Sequence, residues 1–331
     1  MIRMILAFVL AAALGHYLTP ALRQAAIRFG IVDRPDGKLK NHRAPVPYLG
    51  GVAIFLSFLL SLALTVEFQR EVLGILLAGS IVVILGLVDD LGALSPPVKL
   101  AGQVVAILAL IKASVTIKLE FLPAWAALPL SFLWLLSVTN AFNLIDIMDG
   151  LAAGVGLIAA VTLACVAAGS GRQVVATLLA GLAGSLAGFL RYNFEPARIY
   201  MGDTGSLFLG LMLGALAMNN SYTSKNLVAS LSPVVILGVP LFDMLFVMFV
   251  RWRRGIPIMR GSPDHFALRL RKWRLTTRQT VGASYLATAL LCGVGIALML
   301  VDQRTALVLL GVTVSAALAL GFYLKKIDMT L

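Results

Sequence analysis

The sequence predicts an all-α polytopic membrane protein, and three observations carry that prediction. Of its 331 residues 60% are hydrophobic and only 13% charged, with a mean hydropathy of +0.96; an ordinary soluble domain carries about a quarter charged residues. Apolar runs of membrane-segment character recur eleven times along the chain. The loops between them carry Lys and Arg very unequally on alternate sides, as cytoplasmic and outer loops do.

The runs fall at about 2–19, 48–66, 72–88, 98–112, 124–139, 150–169, 173–190, 204–219, 227–250, 281–301 and 305–324. Lipid leaves no water for unsatisfied backbone groups, so each run is expected as a helix. The first run carries a single Arg3 near its start and resembles a secretory signal. The spans behind it make a retained first helix the expectation. Loops 20–47, 89–99, 191–203, 251–280 and 325–331 carry 6, 1, 2, 9 and 2 of the 27 basic residues. The other side holds Arg3, Arg70, Lys112, Lys118, Arg172, Lys225 and Arg304. Positive charge marks the cytoplasm, so an eleven-span chain has its N-terminus outside and its C-terminus inside. The net charge of +12 is then a property of membrane loops and gives no reason to invoke nucleic acid. No repeat, low-complexity segment or soluble domain interrupts the chain, which reads as one integral membrane domain over 1–331. Its cytoplasmic loops are expected at about 20–47, 89–97, 140–149, 191–203 and 251–280. Cys165 and Cys292 lie in apolar runs and form no disulfide or zinc framework.

That topology places Asp89, Asp90, Asp146, Asp149 and Asp203 on the cytoplasmic side. In Asn140-Ala-Phe-Asn-Leu-Ile-Asp-Ile-Met-Asp-Gly150 two amides and two carboxylates recur every third residue where a span ends. Charge at bilayer depth is costly, so such groups face water, a partner or a metal. Asp89 and Asp90 close another span, and adjacent carboxylates call for a cation, a shared proton or a phosphate-bound metal. In Tyr192–Ser206 the glycines Gly202 and Gly205 flank Asp203, while Thr204 and Ser206 open a helix. Free N–H groups there suit a phosphate, and a carboxylate suits Mg²⁺; plain capping by Asp203 or Thr204 is the simpler alternative. Asp243 lies inside the ninth span, as a functional acid or as the partner of a loop arginine. The basic loop 251–280 contains Asp264, His265 and Arg269. The loop 20–47 contains Asp33, His42 and Arg43. Both suit a pyrophosphate substrate or anionic lipid headgroups. His16, in an apolar span, is given no role.

Taken together, Pro45-x-Pro47…Gly50-Gly51, Leu85-Gly-Leu-Val-Asp-Asp90, Asn140-Ala-Phe-Asn…Asp146…Asp149-Gly150, Asn193-Phe-x-Pro-Ala…Met201-Gly-Asp-Thr-Gly-Ser206, Pro240-Leu-Phe-Asp243 and Asp264-His…Arg269-Leu270 resemble the polyprenyl-phosphate N-acetylhexosamine-1-phosphate transferases. The resemblance covers nearly the whole chain. It implies a multi-pass protein of the bacterial cytoplasmic membrane with a cytoplasm-facing Mg²⁺ site (Mn²⁺ is admitted as well). There a UDP-N-acetylhexosamine, with N-acetylglucosamine expected, would be joined to undecaprenyl phosphate with release of UMP. This would initiate cell-envelope polysaccharide synthesis such as O-antigen or lipopolysaccharide. By the same resemblance Asp89 and Asp90 act on the lipid phosphate, and Asp203 with Asp90 binds the metal. Asp146 and His265 serve catalysis, while Asn143, Asp149 and Tyr200 frame the nucleotide sugar. His42, Arg43 and Arg269 are expected to contact substrate. A homodimer is compatible with it.

Two departures stand out. Ile147 follows Asp146 where family members often carry glycine, and Leu268 and Arg269 leave His265 without the further histidines common in that loop. With the span count, this favours the N-acetylhexosamine branch over the phospho-N-acetylmuramoyl-pentapeptide transferases. From another class, a transporter or flippase also carries intramembrane acids. It would place them near the bilayer midplane and would often show repeated halves. A scaffold without catalysis is a third reading.

Overall fold

The structure, a computed structural model, describes residues 1–33, 45–92, 94–119, 121–223, 226–257, 262–327 and 329. It divides into two compact units, Met1–Asn220 and Ser221–Leu331.

The first unit holds α1 (Ile2–Arg28), a hairpin of β1 (Val32–Asp33) and β2 (Val46–Pro47), and α2 (Gly50–Ala63). It continues through α3 (Arg70–Asp90), α4 (Pro96–Lys112), α5 (Ala124–Ile145), α6 (Leu151–Gly169), α7 (Gln173–Asn193) and α8 (Gly202–Met218). Side-chain periodicity decides which face each helix turns inward. On α3 the buried residues Val72, Ile75, Gly79, Val82 and Gly86 recur every three or four positions, while Leu73, Leu77, Ile84 and Val88 form an exposed apolar stripe. One stripe packs on protein; the other is suited to lipid. Helix α8 is the centre of the unit. It touches α2, α3, α5, α6 and α7 and is buried from Thr204 to Met218.

The second unit holds a 3₁₀ turn (Val228–Leu231), α9 (Ser232–Ile236), α10 (Gly238–Arg253), α11 (Phe266–Lys272), α12 (Thr277–Leu300) and α13 (Gln303–Lys325). Val228, Val235, Leu298 and Ala306 form its small buried cluster.

The helical, polytopic character is as expected. Among the described residues seven helices are long and apolar enough to cross a membrane, or eight if the bent pair Val228–Ile236 and Gly238–Arg253 is one span. That pair turns by 78° beside Gly238 and Pro240, because proline supplies no N–H to continue the helical ladder. The other three expected spans coincide with α2, α4 and α8, of 14, 17 and 17 residues. At about 1.5 Å per residue these are shorter than the roughly 30 Å hydrocarbon layer. The hairpin was not anticipated. Val32 pairs with Pro47 and Asp33 with Val46, two residues per strand, too short for a period-two pattern to register.

Candidate active site

Four helix ends converge in the first unit: the last turns of α3 and α5 and the first turns of α4 and α8. They bring Asp89, Asn143, Lys99 and Asp203 into direct contact. Lys99 Nζ lies 2.9 Å from Asp89 and 2.6 Å from Asp203, and donates to Asn143 Oδ1 at 3.2 Å. Asn143 Nδ2 donates in turn to Asp203 Oδ1 at 2.6 Å and to Ser206 Oγ at 2.9 Å. Lys99 was missed in the sequence. A signal existed: it stands four residues into α4, where the helix dipole disfavours a cation, so it needs nearby anions.

Asp90 is engaged differently from the metal-binding and catalytic parts expected of it. Its Oδ1 accepts the Asp203 amide at 2.7 Å. Its Oδ2 accepts the Thr204 amide at 3.1 Å and the Thr204 hydroxyl at 2.6 Å. Asp146 closes α5 half-buried, and among the described residues no donor pairs with its carboxylate. Burial first, then the charges of Asp203, Asp90 and Asp149, push its carboxyl up to about 8.

Asp149 and Asn193 join the loop after α5 to the loop before α8. Asp149 Oδ2 accepts the Ala197 amide at 2.8 Å. Asn193 accepts the Gly150 amide at 3.1 Å and donates to Ile199 O at 3.0 Å. In the sequence Asn193 stands out only as part of a motif, and nothing local reveals a bond to a residue 43 positions away. Tyr200 follows. Its amide donates to Pro47 O, and Gly50 and Gly51 at the start of α2 donate to Tyr200 O and Met201 O. Its ring centroid lies 6.4 Å from that of Tyr48, whose hydroxyl hydrogen-bonds Asp33. Burial, with the charges of Asp149, Asp33 and Asp146, raises the Tyr200 phenol above its usual range and keeps it neutral.

In the second unit His265 Nδ1 and Asp243 Oδ2 are 2.7 Å apart, both groups buried, and the Phe266 amide donates to Asp243 Oδ1 at 2.8 Å. The loop-partner reading of Asp243 is thus met by histidine in place of arginine. Arg269, expected to contact substrate, is fully buried. It is engaged by Asp264 at 2.8 Å and by Leu324 O and Ile327 O at 3.1 and 2.6 Å, with the Phe246 ring beneath it. That corrects the expectation: the guanidinium caps the end of α13, because a buried cation takes the nearest carboxylate and free carbonyls. His42 and Arg43 lie outside the described residues.

Among the described residues no three His, Cys, Asp or Glu side chains are arranged as a metal cage. The donor set nonetheless fits one class of ion. Mg²⁺ is commonly held by one or two carboxylates, with phosphate and water oxygens completing the shell. Asp203 and Asp89 flanking Lys99 offer that much.

Residues 72–221 match glycosyl transferase family 4, a segment that includes Asp89, Asp90, Lys99, Asn143, Asp146, Asp149, Tyr200 and Asp203. The chain is 36% identical to a probable undecaprenyl-phosphate N-acetylglucosaminyl 1-phosphate transferase of Bacillus subtilis, over 86% of this chain and 82% of that one. It is 30% identical to a decaprenyl-phosphate N-acetylglucosaminephosphotransferase of Mycobacterium tuberculosis, over 93% and 86%. A phospho-N-acetylmuramoyl-pentapeptide-transferase of Heliobacterium modesticaldum is 34% identical over 83% and 92%. Similarity of this extent, over the segment that carries the acidic cluster, shows that the chain belongs to glycosyl transferase family 4, among the polyprenyl-phosphate N-acetylhexosamine-1-phosphate transferases.

Proposed function

We propose that the protein transfers N-acetylglucosamine-1-phosphate from its UDP derivative to undecaprenyl phosphate, with Mg²⁺ as cofactor, at the cytoplasmic face of a bacterial inner membrane. The observation that carries this reading is the Asp89–Lys99–Asp203–Asn143 cluster at the ends of apolar helices. It gathers cationic and metal-binding groups where a lipid phosphate and a water-soluble nucleotide can meet.

In the reaction an oxygen of the lipid phosphate forms a bond to the sugar-bearing phosphorus of the donor. The bond from that phosphorus to the bridging oxygen breaks, and UMP leaves with the bridging oxygen. Both reactants are anions, so stabilising charge and fixing an in-line approach are the main tasks. Asp203 and Asp89 would hold Mg²⁺, which would supply positive charge to the reacting phosphates. Lys99 adds a fixed ammonium beside Asp89 and Asp203. Asn143 aims the Asp203 carboxylate through its 2.6 Å hydrogen bond. In this reading Asp89 takes the proton of the lipid phosphate, and Tyr200 offers a neutral ring suited to a flat base. A role in starting envelope polysaccharide synthesis is the corresponding expectation for the product.

The test is UMP release by purified protein with undecaprenyl phosphate, Mg²⁺ and single UDP-sugars. Release with UDP-N-acetylglucosamine, lost on omitting lipid or metal, is expected. Lys99→Met should lower kcat at least ~100-fold, within the range that one electrostatic donor contributes. Release with a different sugar alone would replace the donor. No release from folded protein with any donor would overturn the reading.

A further inference from the structure

Asp90 has no part in the step above, and its surroundings indicate another one. It is the last residue of α3, where free carbonyls and the helix dipole disfavour a negative charge. Its partners lie on another helix, 113 and 114 residues further along the chain: the amides of Asp203 and Thr204, and the Thr204 hydroxyl. Those amides belong to the first turn of α8, whose N-cap residue Met201 offers no side-chain cap. A charge that is unfavourable on its own helix is therefore favourable on the next.

The seat is closely fitted. Gly202 has φ +68°, and a Cβ there would lie 2.5 Å from Asp90 Oδ2. One turn before Asp90, a Cβ on Gly86 would come within 2.5 Å of the Thr204 Cα. Neither position has room for a side chain, so the carboxylate meets the amides directly.

We propose that Asp90 is a positioning residue: it caps α8 from α3, and by holding the Asp203 amide it sets the direction in which the Asp203 carboxylate faces Lys99 and Asn143. The capping half stands on the hydrogen bonds alone; the consequence for metal and turnover rests on the function proposed above.

The test uses the full chain in detergent. In metal-free protein Asp90→Asn should lower Tm by at least ~3 °C, as loss of a helix cap does. A group serving only as a metal ligand would leave that Tm unchanged or raise it, because neutralising one of several crowded acids relieves repulsion. With Mn²⁺ alone as probe, Asp90→Asn should still bind one ion, whereas Asp203→Asn should not. In the UMP assay Asp90→Asn should cut kcat at least ~10-fold with KM for the UDP-sugar within ~2-fold, the split left when an interaction made in the transition state is lost. Thr204→Val should shift Tm in the same direction by less, and not additively with Asp90→Asn; Thr204→Ser should keep the wild-type Tm. If Asp90→Asn does not fold, the Thr204 pair decides. An unchanged or raised metal-free Tm in Asp90→Asn, together with loss of Mn²⁺ binding, would overturn the proposal. A wild-type protein that never releases UMP would overturn the enzyme reading while leaving the Tm comparison decisive for the cap.

Discussion

Asp89 and Asp90 are adjacent in sequence and were read as a pair, yet one faces an ammonium and the other a row of backbone amides. The acids of the chain divide in this way. Asp90 and Asp243 accept backbone N–H groups at the starts of α8 and α11, and Asp149 accepts one from the loop before α8. Asp89 and Asp203 share Lys99, and Asp146 has no donor among the described residues. Asp146 therefore yields a pH prediction. Its carboxyl is raised from 3.8 to about 8, so between those values the folded protein holds a proton that the unfolded chain has released. Stability from this group is present below the lower value and is lost as pH rises towards the upper one. Metal-free wild type should lose Tm from about pH 5 to 8, and Asp146→Asn should show a shallower fall. Thermal melts in a chelator across that range would check it; parallel curves would refute it.

At the level of elements, the basic loop after α10 is held by internal pairs. Asp264 receives Arg254 at 2.9 Å and Arg269 at 2.8 Å on one oxygen. Arg269 ties that carboxylate to Leu324 O in the last turn of α13 and to Ile327 O just beyond it. Arg269→Ala should cost about 3 kcal/mol, the scale of breaking a buried pair and leaving a charge less compensated. Arg269→Lys should not restore it, since an ammonium cannot span the carboxylate and two carbonyls as a planar fork does. Chemical or thermal unfolding of the two variants measures this; a wild-type midpoint in Arg269→Ala would return the residue to the substrate-binding reading. Cys165 and Cys292 form no disulfide.

For the whole molecule, the charge asymmetry of the loops is the basis for orientation. A C-terminal green-fluorescent fusion should fluoresce and an alkaline-phosphatase fusion at the same site should be inactive, because the C-terminus is expected in the cytoplasm. The reverse pattern would invert the topology and move the acidic cluster to the outer face, where a nucleotide-sugar donor is not expected. For Asp89, Lys99, Asn143 and Asp203 to meet on one face, the short helices α2, α4 and α8 must carry the chain across as well. Helix α8 is enclosed by five neighbours, and backbone inside protein does not require the length that lipid exposure does.

The sequence by itself determined the class of molecule and the inventory of the site. Apolar runs, the sidedness of Lys and Arg, and carboxylates at span ends follow from the cost of charge in lipid, which acts on each segment alone. Asp89, Asn143, Asp146 and Asp203 were legible for that reason. Tertiary structure decided which group each acid meets. Lys99 reaches Asp203 across 104 residues and Asp90 reaches Thr204 across 114; a hydrogen bond depends on direction and distance at a few ångströms, and no local pattern encodes where two distant helix ends will meet.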